Sequence, residues 1–131
     1  MGSREVIVVD THAWLWWAAE RHKLSRAAID ALTETESIAI ASITLWEIAM
    51  LAEKKRLTLD RDVLVWLEET IANTGARVLP LTPQIAVLTT SIAPLRDPSD
   101  RMIAATAITH NAPLVTKDDR IRRSGVVETI W

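Results

Sequence analysis

Glu5–Asp10 reads EVIVVD, four β-branched apolar residues in a row that end on an acid. A run without polar alternation has no face to offer water, so it reads as a buried strand. The rest of the chain alternates similar apolar pieces with helical ones. Ser37–Ser42 (SIAIAS) is expected as a second strand, Ala76–Leu81 as a third, Leu114–Thr116 as a fourth and Val126–Ile130 as a fifth. Between them fall helices over Thr11–Glu20, from Ser25 onward with Ser25 as N-cap, over Ile43–Arg56, from Asp60 or Asp62 to a left-handed stop at Gly75, over Pro83–Ile92, and over Pro98–His110, closed by Asn111 and Pro113. Apolar strands alternating with helices predict an α/β fold with a parallel sheet covered on both faces. At 131 residues, with no repeat or linker, the chain is expected to form one domain over 1–131. Met1–Ser3 is given no structural weight.

Composition narrows the function classes. A formal charge of −2 argues against coating nucleic acid by bulk positive charge. The absence of cysteine removes thiolate metal sites and cysteine nucleophiles, and agrees with a cytoplasmic protein. Ala13–Ala19 is the longest apolar run, far short of the ~20 residues that span a membrane. Arg4, Glu5 and Asp10 break up any signal-peptide pattern at the N-terminus.

In parallel sheets, ligands bind beyond the carboxyl ends of the strands. Asp10 stands at the end of the first strand, and Asp118 just past the fourth in LVTKDD. Glu47 follows the second strand by about one helical turn, in SITLWEIAM. Asp100 opens the helix that leads to the fourth strand. Each acid also has a structural reading. Asp10 serves equally well as a helix cap, Glu47 as the partner of a buried arginine, and Asp118 or Asp119 as the cap of a short helix reaching Arg123. Asp97, followed by Pro98, is assigned to capping, with Asp100 one turn further in. Taken together, four carboxylates at one sheet edge suit a hard cation, Mg²⁺ or Mn²⁺. Such a centre can activate water and stabilise charge on a phosphoryl group, which implies phosphodiester hydrolysis.

The motifs DTHAWLWW from Asp10, SITLWEIAM from Ser42, DPSDRMIAATA from Asp97 and LVTKDD from Leu114 occur in an order that resembles the PIN-domain family, and within it VapC-type toxins of type II toxin–antitoxin pairs. The resemblance implies a three-layer α/β/α PIN-like fold with a central parallel sheet of four to five strands. It also implies a single-strand endoribonuclease in which Asp10, Glu47, Asp100 and Asp118 hold Mg²⁺ or Mn²⁺ and a metal-activated water cleaves RNA. Thr116 is similar to the family's hydroxyl beside the last acid and Ser42 to the polar residue closing the second strand, both in supporting roles. Implied partners are an RNA substrate, a cognate antitoxin covering the active-site groove, and a second copy of the chain. Leu95, Ser99 and Leu51 depart from this subgroup's usual histidine, phenylalanine and lysine, which bears on substrate contacts and not on the acids.

Arg101, beside Asp100, is expected to pair with a site carboxylate. His12, His22 and His110 share no metal-ligand spacing, and His110 suits a helix C-terminus. Trp14, Trp16 and Trp17 cannot all face one side of a helix, so core and surface roles divide among them. Lys54–Arg56 and Arg120–Arg123 read first as solvated faces. Two other readings are weighed: a non-catalytic RNA- or protein-binding module of the same fold, and a phosphatase using Asp10 as nucleophile. The second is disfavoured because Asp10-Thr11-His12 lacks the DxD pattern.

Overall fold

The computed structural model describes residues 5–131; Met1–Ser3 and Arg4 lie outside the described residues. Five parallel strands form one sheet: β1 (Val6–Val9), β2 (Ser37–Ala41), β3 (Arg77–Leu79), β4 (Leu114–Val115) and β5 (Thr129–Ile130), in the order β3-β2-β1-β4-β5. Val8 and Val9 of β1 pair with Leu114 and Val115, and Val6–Val8 pair with Ser37–Ala39. The expected strands are present, with β3, β4 and β5 shorter than their apolar runs.

Among the described residues seven α-helices connect and cover the strands: α1 (Thr11–Ala19), α2 (Arg26–Glu34), α3 (Ile43–Glu53), α4 (Val63–Thr74), α5 (Pro83–Thr89), α6 (Pro98–Thr109) and α7 (Asp119–Ser124). A short 3-10 turn, Arg21–Lys23, precedes α2. Alternate residues of each strand enter two separate cores, as the period-2 geometry of a strand requires. Ile7, Val9, Ile38, Ile40 and Val115 pack with Trp14 and Trp17 of α1, Ala28 and Leu32 of α2, Ile48 of α3 and Trp66 of α4. Val8, Ala39, Ala41 and Leu114 pack on the other face against Ile85 of α5, Ile103, Ala104 and Ala107 of α6, and Ile121 of α7. The result is the expected three-layer α/β/α arrangement.

The small residues of AATA matter here. With Ala104, Ala105 and Ala107 fully buried, α6 lies close against the sheet, and its first turn is fixed relative to the ends of β1 and β4. Helix ends follow the sequence in most places. Ser25 accepts from Ala28 N at 3.1 Å, and Gly75 ends α4 at φ 66°. Asn111 takes φ 51° after α6. Of the two acids expected to start α4, Asp62 is the N-cap residue, without a side-chain hydrogen bond, and Asp60 pairs with Arg61 at 2.8 Å. An adjacent guanidinium outcompetes the open helix end for that carboxylate.

Candidate metal centre at the strand ends

Connections leave β1 on one side toward β2, while β4 returns on the other, so the chain's switch of direction lies between β1 and β4. A crevice opens there beyond the strand ends. It is a cavity of about 470 Å³ lined by Asp10, Thr11, His12, Trp16, Glu47, Asp97, Asp100, Ile103, Lys117, Asp118 and Arg120. The four acids expected from the sequence therefore share one cavity, reached from β1, α3, α6 and the start of α7.

Asp10 is held from two sides. Its Oδ1 accepts from Ala13 N at 2.9 Å, capping α1, and its Oδ2 accepts from the buried Thr116 hydroxyl. Asp10 thus caps α1 and also lines the cavity. Thr116 Oγ1 also accepts the Asp118 backbone N–H at 3.1 Å, so one hydroxyl ties the two strand-end acids to a common frame. Among the described residues Glu47 has no arginine partner. The buried Thr11 hydroxyl donates to its Oε1 at 2.5 Å, and Thr11 in turn contacts Thr44 Oγ1 at 3.1 Å. A hydroxyl pair between α1 and α3 thus orients the carboxylate that an apolar sequence context left unexplained.

The electrostatics follow from the crowding. Burial pushes the Asp10 carboxyl up, opposed by the Thr116 and Ala13 hydrogen bonds. Asp100 is pushed up to about 7, first by burial and then by the charges of Asp97 and Asp118. Partial burial also acts to raise Asp118, but hydrogen bonds from the Arg120 guanidinium and backbone leave it below its ordinary value. Like charges in a sheltered cavity penalise ionisation, and a cation relieves that penalty. The donor set fits a divalent ion for that reason: it is all oxygen, without histidine or cysteine ligands, as Mg²⁺ and Mn²⁺ prefer. Among the described residues no three acid or imidazole groups form a ready-made cage for an ion.

Two expected supporting residues stand elsewhere. Ser42 lines a separate cavity with Ile43, Trp46, Leu81 and Met102, and its backbone N–H donates to Leu79 O at 2.9 Å. It closes the strand through its main chain, and the hydroxyls at the acids come from Thr11 and Thr116. Arg101 is a second correction. Its guanidinium donates to the carbonyls of Leu95 and, at 3.4 Å, Thr89, and so is taken up by backbone at and beyond the end of α5. The arginine that meets a site carboxylate is Arg120, whose NH2 group lies 3.1 Å from Asp118 Oδ2. Its signal was present in the D-x-R spacing after Asp118 but was hidden in a basic run.

Asp97 caps α6 as expected, accepting from Ser99 N at 2.8 Å and Asp100 N at 3.3 Å. Asp118 caps α7 through Arg120 N at 2.8 Å. Trp14, Trp17 and Trp66 are buried, whereas Trp16 faces the cavity and Trp46 is 56% exposed. His12 lines the cavity, its ring 6.0 Å from that of Trp16.

Residues 7–126 match the PIN domain family. The chain is 38% identical over 129 residues to Ribonuclease VapC22 of Mycobacterium tuberculosis, covering 95% of this chain and 98% of that protein. Among solved structures, DNA-bound VapBC from Salmonella typhimurium aligns with TM-score 0.71 at 23% identity, over 98% of this chain and 97% of that one. VapBC2 from Rickettsia felis, bound to a promoter DNA fragment, aligns with TM-score 0.68 at 15% identity over 95% and 96%. At such identities these two likenesses concern the fold.

Proposed function

The chain belongs to the PIN domain family, in its VapC branch, and from that premise we propose that it is a Mg²⁺- or Mn²⁺-dependent endoribonuclease, the toxin of a toxin–antitoxin pair. The observation that carries the proposal is the meeting of Asp10, Glu47, Asp100 and Asp118 around one cavity at the β1/β4 switch point. These four would hold the cation. When bound, the cation would supply activation of water and neutralise charge developing on the phosphoryl group.

The chain's own residues do the remaining work. Thr116 and Thr11 fix the Asp10 and Glu47 carboxylates, so the donor set is oriented before substrate arrives. Lys117 and Arg120 on the cavity wall offset the repulsion between an acidic centre and a polyanion. The cavity is open, as a strand passing through it requires. The cognate antitoxin is proposed as protein partner, in line with the VapBC complexes that share the fold. A homodimer, a cytoplasmic location and a single domain over 1–131 belong to the same proposal.

Asp10→Asn tests it well, because asparagine caps a helix as readily as aspartate. The variant is expected to fold normally, by circular dichroism and thermal melting, and to lose cleavage of single-stranded RNA. Undiminished cleavage by a clean preparation overturns the assignment.

A further inference from the structure

Arg120 is bonded to one of the acids themselves, a contact that its place on the cavity wall does not by itself account for. Its guanidinium takes both oxygens of Asp118, Nε to Oδ1 at 3.4 Å and the NH2 group to Oδ2 at 3.1 Å. Its charge also acts on Asp100 and Asp97. The same side chain lines the carboxylate cavity and a second, adjoining one of about 200 Å³ walled by Pro94, Leu95, Arg96, Asp97 and Asp100. One cation of the chain thus faces three of the acids around the candidate centre, from the partition between two depressions.

We propose that Arg120 is a built-in counter-ion of the metal centre: it holds Asp118 until a divalent cation displaces it, and the released guanidinium then takes a backbone phosphate of single-stranded RNA in the adjoining depression beside Arg96. The inference rests on the cation-dependent reading above and adds to it an exchange between two cations.

The exchange follows from the geometry. The Arg120 side chain is 73% exposed and that of Asp118 only 26%, so the mobile, solvated partner is the arginine. A pair with one exposed member is weak in water and yields to a doubly charged ion. Asp118 is anchored by its backbone N–H to Thr116 and by its place at the head of α7, so it stays when the guanidinium leaves. The displaced side chain remains tethered at the second position of that helix, within the same wall. With the acids neutralised by the ion, a planar fork of donors beside Arg96 suits a phosphodiester oxygen pair.

Two measurements on the full chain test this. Mn²⁺ alone is titrated calorimetrically into the wild type, Arg120→Ala and Arg120→Lys. A labelled single-stranded oligoribonucleotide is then bound to each across a salt series, with Ca²⁺ present in place of Mg²⁺. Arg120→Ala is expected to tighten Mn²⁺ about two- to fivefold, the scale of one exposed ion pair. It should also flatten the plot of log affinity against log salt by about 0.7, one phosphate contact on a single strand. Arg120→Lys keeps the salt slope. Opposite signs for metal and RNA are not produced by a general loss of structure. Mn²⁺ uptake by Arg120→Ala but not by the wild type supports the exchange in its strongest form. Unchanged or weaker Mn²⁺ binding in Arg120→Ala, with a wild type that binds, overturns the inference and leaves the nuclease reading standing. Tighter Mn²⁺ with an unchanged salt slope overturns the transfer to phosphate. Absence of uptake by every form overturns both.

Discussion

The Thr116 hydroxyl donates to Asp10 Oδ2 across 106 positions of sequence, and its oxygen accepts the Asp118 backbone N–H. Thr116 is fully buried at the end of β4, so neither bond can be replaced by solvent. Valine has the same shape without the hydroxyl. Thr116→Val is expected to lower stability by about 1–3 kcal/mol, the cost of leaving a buried acceptor without its donor. Cleavage should fall about 10- to 100-fold, the usual effect of removing a residue that orients a metal ligand. Denaturant unfolding and single-turnover cleavage measure the two, and a variant normal in both shows that Thr116 orients nothing.

Asp97 and Asp100 stand one helical turn apart with different tasks. Asp97→Ala removes the cap of α6 and should cost about 1 kcal/mol of stability with cleavage retained. Asp100→Ala removes a carboxylate whose ionisation is opposed by burial and by Asp97 and Asp118, so stability is kept or gained while cleavage is lost. Unfolding curves and RNA cleavage on the same two variants decide between this pattern and its reverse.

The raised Asp100 gives a pH dependence of definite sign. In the unfolded chain the carboxyl ionises near 3.8, and in the fold at about 7. Between these values the folded protein retains a proton that the unfolded chain has released, so stability falls as pH rises through the window. Asp10, raised first by burial, acts in the same direction. Thermal midpoints in chelator are therefore expected to drop between about pH 4 and about pH 7, and Asp100→Asn should flatten the slope. Added Mn²⁺ favours the ionised form, so its stabilising effect should grow over the same range. A midpoint that rises with pH in chelator contradicts the placement of Asp100.

How much of this was legible in the sequence depends on the range of the interaction. β1 and β2 were readable because unbroken β-branched or alternating runs have few other uses, and α6 because Asp97-Pro98 sets its start and Asn111 its end. The four acids could be placed at one edge because parallel strands all end on the same side of a sheet. Partners set by tertiary packing were not readable. Nothing near Glu47 points to Thr11, 36 positions away. Arg101 is adjacent to Asp100 in sequence but directed to the carbonyls at and beyond the end of α5. Neighbours along a helix diverge by about 100°, so adjacency in sequence is poor evidence of contact. Arg120 could have been singled out, since two residues past a helix-capping acid is within reach of that acid.

The order of strands also governs when the centre can exist. β1 is among the first pieces of the chain and β4 among the last, yet the two are neighbours in the sheet and share the Asp10–Thr116 bond. Closing so long a loop comes late in folding, after the local helices and the β1–β2 pair. On the ribosome, the residues that orient Asp10 and supply Asp118 emerge only after α6 has been made. A nascent chain therefore carries Asp10 and Glu47 through most of its synthesis before Thr116 can orient Asp10 and before Asp118 joins the acids at the strand ends.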